Sequence, residues 1–314
     1  MPSLVSIIIP CFNAERWLAE TLESALAQTW TDREIIVVND GSADGSLAVA
    51  RQFESRGVRV LDQPNGGAAA ARNHGLRVGR GNFIQFLDAD DLISPDKIAA
   101  QLEMLRQRPA GMVATCAWGR FQNDFGQASF ADEAVFRDFT PVDFLVLAGD
   151  TGAMMHPSAW LLPRAIAERA GPWNEALSLN DDGEYFCRVL LASAGMAYCP
   201  AGRSYYRSGL PGSLSQQRSD RARRSQFRSV ESIEQHLLAT EDSPRTRRAA
   251  ANYYQRFIHD FFPAPADLMR AAALHVNALG GATLAAPPMG PRTRLLASLL
   301  GWRNVWRLKY LLGR

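Results

Sequence analysis

Within the first hundred residues, β-branched apolar runs alternate with helix-periodic stretches, and this alternation constrains the fold more than any other feature. Leu4-Val5-Ser6-Ile7-Ile8-Ile9 reads as a fully buried strand, ended by Pro10, which has no N–H to continue a ladder. From Ala14 to Thr29, Trp17, Leu18, Leu22, Ala25 and Leu26 fall at a helical period. Glu34-Ile35-Ile36-Val37-Val38 is a second strand, stopped by the turn chemistry of Asn39-Asp40-Gly41-Ser42. A helix over 46–56 leads to a third strand, Val58-Arg59-Val60-Leu61. Asn65-Gly66-Gly67 turns into an Ala-rich helix from Ala68 to Val78, and Asn82-Phe83-Ile84-Gln85-Phe86-Leu87 is a fourth strand. Such alternation predicts βαβ units and an α/β fold with a mostly parallel sheet flanked by helices.

In sheets of this kind ligands bind beyond the carboxyl ends of the strands. Three strands end in Pro10-Cys11-Phe12-Asn13, Asn39-Asp40-Gly41-Ser42 and Asp88-Ala89-Asp90-Asp91, so these segments are expected to line one cleft. No Gly-x-Gly-x-x-Gly follows the first strand and no Walker A motif occurs, which argues against a dinucleotide or P-loop site. Three carboxylates within four residues repel one another unless a divalent cation neutralises them. Oxygen ligands suit Mg²⁺ or Mn²⁺, which typically complete their shell with substrate phosphates. Asp88, Asp90 and Asp91 are therefore the candidate metal ligands, although a solvated loop capping the next helix would carry the same residues.

The ordered set Ser6-Ile7-Ile8-Ile9-Pro10-Cys11-Phe12-Asn13, Val37-Val38-Asn39-Asp40-Gly41-Ser42, Asn65-Gly66-Gly67 with Ala71-Arg72-Asn73, and Phe86-Leu87-Asp88-Ala89-Asp90-Asp91 resembles the family 2 glycosyltransferases. The resemblance covers residues 4–100 in unbroken order and extends more loosely to about 215. It implies the GT-A, Rossmann-like fold, a nucleotide-sugar donor, usually UDP-linked, and inversion at the anomeric carbon. It also implies that Asp40 contacts the base, and that Asp88 and Asp90 meet metal, ribose and diphosphate. Many members carry Asp-Asp-Gly-Ser where this chain has Asn39-Asp40-Gly41-Ser42; the second Asp is kept. The nucleotide-sugar set expected from the motifs is Pro10, Phe12, Asn13, Glu15, Asp40, Gly67, Arg72, Asp88, Ala89 and Asp90. Arg72 either contacts phosphate or orders the acidic run by an ion pair.

Inverting transfer needs a general base outside the metal cluster to take the acceptor's hydroxyl proton. Asn180-Asp181-Asp182-Gly183-Glu184, leading into a helix from Tyr185 to Ala194, resembles the family segment that supplies it. Asp182 is the expected base and Asp181 the alternate; either residue also suits the helix N-terminus. His156 and Trp173 are candidate acceptor contacts, each equally at home in a core. Tyr206-Arg207 followed by Ser213-Leu214-Ser215 resembles a late family segment that closes over the diphosphate, which makes Arg207 a phosphate candidate.

The expected organisation is a catalytic domain over 1–215 and a mainly helical region over 216–314. The latter contains a Pro/Gly/Ala-rich linker at 263–291, interrupted by a short helix from Asp267 to Leu279, and a basic amphipathic tail. The segment between 112 and 200 reads as mixed and irregular. The formal charge is +2, which excludes a nucleic-acid binder by charge, but it is unevenly spread. Residues 201–314 hold 18 Lys and Arg against 7 acids, and residues 1–200 hold 16 against 25. In the tail, leucines and Trp302 and Trp306 mixed with Arg and Lys suit an interfacial helix on anionic lipid, or a face docked on the protein or in a homodimer. Four scattered cysteines, no export leader and no 20-residue apolar span point to a cytoplasmic protein, with the inner face of the membrane as a peripheral location.

The function expected is transfer of a sugar, from a UDP-sugar in the usual case, to a saccharide or lipid-linked acceptor of envelope polysaccharide synthesis. A nucleotidyltransferase is the competing enzyme class. It would carry a Gly-rich basic signature after the first strand, where this chain has Pro10-Cys11-Phe12-Asn13. A non-catalytic sugar-nucleotide-binding subunit would lack the acidic run or the base, and both are present.

Overall fold

The structure is a computed structural model that describes residues 3–210, 217–263, 265–284, 291–301 and 304–305. Strands β1 (Val5–Cys11), β2 (Arg33–Asp40), β3 (Val58–Gln63), β4 (Phe83–Phe86) and β7 (Leu162–Pro163) form one sheet in the order β3-β2-β1-β4-β7. All its neighbours are parallel except the β4/β7 edge. A second sheet, β5-β8-β6, is built from β5 (Leu92–Ile93), β6 (Met112–Phe121) and β8 (Gly195–Arg207). An antiparallel bridge between Ala114 and Leu161 joins the two.

Pro10 does not end the first strand as expected. β1 continues to Cys11, with Pro10 opposite Val38. Residues of a parallel strand face alternate neighbours, and Ile8 accepts from Leu87 N–H on the β4 side. Pro10 faces that same side, beyond the point where β4 stops opposite Ile8, so its missing N–H removes no ladder bond.

The helices are α1 (Leu18–Leu26), α2 (Ser46–Gln52), α3 (Ala68–Val78), α4 (Lys97–Arg106), α5 (Pro141–Thr151), α6 (Arg164–Ala170), α7 (Asp181–Leu191), α8 (Asp220–Thr240), α9 (Pro244–Phe261), α10 (Ala266–Ala278) and α11 (Pro291–Leu300). The pleat of β1 sorts the two faces: Val5, Ile7 and Ile9 pack with α1, α2 and α4, while Ile8 faces the core of α3 and α5–α7. Each such fully buried aliphatic side chain stabilises the fold by about 1.5–3 kcal/mol relative to its exposed state. Gly75 lets α3 lie directly on β1, since a Cβ there would sit 2.4 Å from Ile8 Cγ2. α1 starts later than the periodicity predicts because Ala14 N–H is bonded to Ser46 Oγ and 14–17 form a turn. α7 starts earlier, so the acidic run lies in its first turn rather than before it.

The middle of the chain carries two long strands that the sequence did not show, β6 of ten residues and β8 of thirteen, while 122–140 is irregular as expected. The C-terminal helices pack on the half of the chain that carries the two sheets. Ser225 and Ser229 of α8 bond to the 178–180 backbone, and Tyr253 of α9 donates to Leu145 O. The short helix expected within the linker is α10, one residue earlier than read, and it buries Leu268 and Ala272 in the α8–α10 cluster. The remainder of that stretch, 285–290, and most of the tail, including Trp302, Arg303 and 306–314, lie outside the described residues, as do Ser213-Leu214-Ser215.

Candidate active site

The loops after β1 and β2 are laced together. Asn13, held at φ 50°, accepts Ala43 N–H through Oδ1 at 2.8 Å, and Asn13 N–H donates to Ser42 Oγ at 3.0 Å. Glu15 accepts Gly45 N–H at 2.9 Å. Phe12 projects outward with 53% of its surface exposed, while Pro10 is buried in its strand. Asp40 is buried, and its carboxylate holds the next loop. Oδ1 accepts from Gly66 N–H and Gln63 Nε2, and Oδ2 from Gly67 N–H, each at 2.8 Å. Gly67 adopts φ 92°, a conformation that glycine allows at the N-terminus of α3.

From α3, Arg72 joins both halves of the acidic constellation. One guanidinium nitrogen donates to Asp88 Oδ1 at 2.8 Å and another to Asp181 Oδ2 at 2.9 Å. The guanidinium lies 4.4 Å from the centroid of Trp173, whose indole stacks at 4.0 Å on Tyr185. Trp173 is therefore a platform under Arg72. With 1% of its surface exposed and neighbours on both faces, it is not the sugar-stacking acceptor contact the sequence offered. Burial is the largest single influence on Asp88 and opposes its ionisation, but the Arg72 charge and hydrogen bond together with His156 outweigh it and hold the carboxyl below its usual range. Burial likewise disfavours the Arg72 cation, and Asp88 and Asp181 more than restore it.

The remaining acids behave differently. Burial and the Asp88 charge push Asp90 up to about 6. Asp91 is fully buried: Oδ1 accepts from Arg207 N–H at 2.9 Å, and Oδ2 from Ser158 Oγ at 3.3 Å and His156 Nε2 at 3.2 Å. His156 Nδ1 accepts Ser158 N–H at 3.3 Å, so the neutral ring carries its proton on Nε2 and donates it to Asp91. Burial, aided by Arg120 and Arg72 against the pull of Asp88, lowers His156 to about 4. At 3% exposure, His156 braces the acidic turn instead of lining an acceptor pocket. Ser158, its partner, carried no signal in the sequence.

Arg207, expected at the diphosphate, is engaged inside the fold. Its side chain lies between Trp17 and Phe121, 4.2 and 4.3 Å from their centroids, and donates to Asp90 O, Gln122 O and Glu20. Fully enclosed, it has no donor aimed at a phosphate; it clamps the turn against β8. Ala89 accepts from Thr21 Oγ1 at 2.9 Å, which ties the same turn to α1.

At the start of α7 the N-cap residue is Asn180, at φ 59° and without a side-chain capping bond, so neither aspartate is the cap. Asp182 Oδ1 accepts Gly183 N–H at 2.9 Å, and burial together with Asp181 pushes its carboxyl up to about 6. Among the described residues nothing bonds to Asp182 Oδ2, whereas Asp181 is taken by Arg72.

One ligand atom each from Asp88, Asp91 and His156 lies within 4.8 Å of the others, a donor set of two carboxylates and an imidazole; Asp90 is not in this group. Asp91 and His156 already satisfy each other in the interior. The carboxylates at the open edge are Asp88, 27% exposed, and the partly exposed Asp90. Two partly exposed carboxylates two positions apart are oxygen donors of the kind a hard divalent cation takes.

Residues 6–169 match the family model described as Glycosyl transferase family 2. The uncharacterized glycosyltransferase EpsJ of Bacillus subtilis (strain 168) is 39% identical over 126 residues, 40% of this chain and 36% of that relative. The match thus spans little more than a third of the relative's length. Among solved structures, S. aureus TarS 1–349 in complex with UDP-GlcNAc superposes with a TM-score of 0.64 at 16% identity, covering 99% of this chain and 92% of that one. Mannosyltransferase PcManGT from Pyrobaculum calidifontis, in complex with GDP-Man and Mn²⁺, gives a TM-score of 0.54 at 18% identity over 99% and 87% of the two chains. These likenesses establish the GT-A fold with its following helices. The family match ends before Asp181 and Asp182.

Proposed function

The chain belongs to glycosyl transferase family 2, and on that premise we propose that it transfers a sugar from a nucleotide-sugar donor to an acceptor hydroxyl with inversion, using Asp182 as the base. The observation that carries this reading is the Arg72 bridge. A single guanidinium ties Asp88, on the donor side, to Asp181, beside the proposed base. The donor-side turn and the first turn of α7 are thereby held at a fixed separation, which is what in-line displacement between them requires.

In the proposed mechanism the loops after β1 and β2 seat the nucleoside, with Asp40 fixing Gly66 and Gly67 beneath it. Asp88 and Asp90 are the carboxylates that would hold Mn²⁺ or Mg²⁺, and such an ion would supply positive charge to offset the leaving diphosphate. UDP is the favoured nucleotide, by the family resemblance and by the UDP-GlcNAc complex of TarS. Asp182 Oδ2 takes the acceptor's proton, and a carboxyl near 6 suits a base working close to neutrality. Asp181 is excluded from that task by its engagement with Arg72. A saccharide or lipid-linked acceptor follows from the family. The exposed leucines of α11, together with the basic 292–314 sequence, support docking of this end on an anionic lipid surface.

Asp182→Asn tests the assignment. Turnover is expected to fall roughly 10²–10⁴-fold while UDP-sugar binding in Mn²⁺ stays within twofold. Near-normal turnover with unchanged donor binding would remove Asp182 from the mechanism.

A further inference from the structure

Arg120, near the end of β6, is exposed, and among the described residues no carboxylate pairs with it. Its guanidinium lies 5.0 Å from the centroids of both Trp118 and Tyr206. Tyr206 in turn packs on His156 at 4.6 Å between ring centroids, and His156 bonds to Asp91. The aromatic stack that positions Arg120 therefore ends in the acidic turn of the active site.

Beside Arg120 opens a cavity of about 500 Å³, lined also by Gln122, Asn123, Asp124, Gln127 and Ser208. Asp124, the one acid of this lining, is engaged: Oδ1 accepts Gly126 N–H at 2.9 Å and Oδ2 accepts Gln127 Nε2 at 3.3 Å. Toward the cavity stand the Arg120 cation, the amides of Gln122 and Asn123 and the ring of Phe121, while Ser208 Oγ donates to Phe121 O and the Asp124 charge is spread over its two hydrogen bonds. Arg207 stands between this cavity and the donor-side turn, since it donates to Asp90 O on one side and Gln122 O on the other. The cavity is thus set off from Asp88 and Asp90 by a buried side chain.

We propose that this cavity is an acceptor subsite for an oxyanion group, a phosphate ester or a sugar carboxylate, read by Arg120. A guanidinium presents paired N–H donors that match either group, and aromatic faces on its flank hold it without consuming those donors. The acceptor assignment rests on the glycosyl-transfer reading above; the anion site itself does not.

The test measures binding of glycerol 1-phosphate, glucuronate and, as a neutral control, glucose to the full chain by calorimetry. The same titrations are run on Arg120→Gln and Arg120→Lys, with UDP plus Mn²⁺ as the donor-side control. The wild type is expected to bind at least one anion and to prefer it to glucose. Arg120→Gln should weaken that anion roughly tenfold or more, Arg120→Lys less, and neither should alter UDP binding more than twofold. Which anion binds separates the phosphate ester from the carboxylate. Equal anion binding by wild type and Arg120→Gln, no anion binding by wild type, or loss of UDP binding in Arg120→Gln would each overturn the proposal. Absence of metal-dependent UDP binding in the wild type would instead strike at the glycosyl-transfer reading, and leaves the Arg120 comparison readable.

Discussion

Arg72 holds two carboxylates, and without it both lose their counter-charge at the same moment. Removing one partner of a buried ion pair costs about 3–5 kcal/mol, so Arg72→Met should lower the unfolding free energy by about 3 kcal/mol in metal-free denaturant titrations. Arg72→Lys cannot reach both acids with a fork and should lose most turnover while keeping more of the stability. A second expectation concerns Asp182. As a base it works only when deprotonated, and burial with Asp181 raises it to about 6. Activity should therefore rise with pH through a limb centred near 6, and a flat profile from 5 to 8 would speak against it. At this scale the sequence was partly legible. Asp88, Asp90 and Asp182 stand out in the sequence because motif and charge mark them, and their roles are those proposed above. His156, Trp173 and Arg207 were nominated for substrate and turned out to be braces, because residue type does not reveal whether a polar group is already satisfied inside the fold. Arg120 left no signal at all, since its meaning comes from Trp118 and Tyr206 meeting across two strands.

Among the elements, α4 carries an unusual burden. Lys97 is buried with no carboxylate partner among the described residues and donates to Gln101 Oε1 at 2.8 Å, to Trp160 O at 3.4 Å and to Gln85. Burial lowers it from the usual 10.5 to about 8, against the weaker pull of Cys116 and Cys199. Between those values the unfolded chain binds a proton that the folded chain has released. Stability therefore rises with pH across that window, by up to about 1.4 kcal/mol per pH unit, and below about 8 the cost of the buried cation is fully present. The difference in unfolding free energy between wild type and Lys97→Met should show this slope; a difference constant from pH 7 to 10 would contradict it. The elements of the first hundred residues were legible because each strand and helix is local and is closed by turn residues. β6 and β8 were not, because their pairing joins residues some 80 apart and shifts register after Cys116 and Cys199.

At the scale of the whole molecule, the helices after β8 complete the catalytic half as well as following it. α8 fixes the Asn180 turn from which the proposed base projects, through Ser229 and Ser225. α11 differs from them, with Leu295, Leu296, Leu299 and Leu300 between 48% and 76% exposed along one stripe. Residues 292–314 contain six Arg and Lys and no acid. Leu295→Glu with Leu299→Glu should reduce co-sedimentation with anionic vesicles, and unchanged binding would remove lipid as the partner of this face. Among the described residues no helix is long and apolar enough to cross a membrane. A metal-assisted nucleotide-sugar site at Asp88 and Asp90 is put to the test by thermal shift with UDP- and GDP-sugars, with and without Mn²⁺. The comparison is between wild type, Asp182→Asn and the double variant Asp88→Asn, Asp90→Asn. At a ligand concentration of 100 Kd the linkage is worth about 2.7 kcal/mol. Metal-dependent stabilisation is expected in wild type and Asp182→Asn, and its loss in the double variant. No response to any nucleotide sugar, or the same response in the double variant, would contradict it.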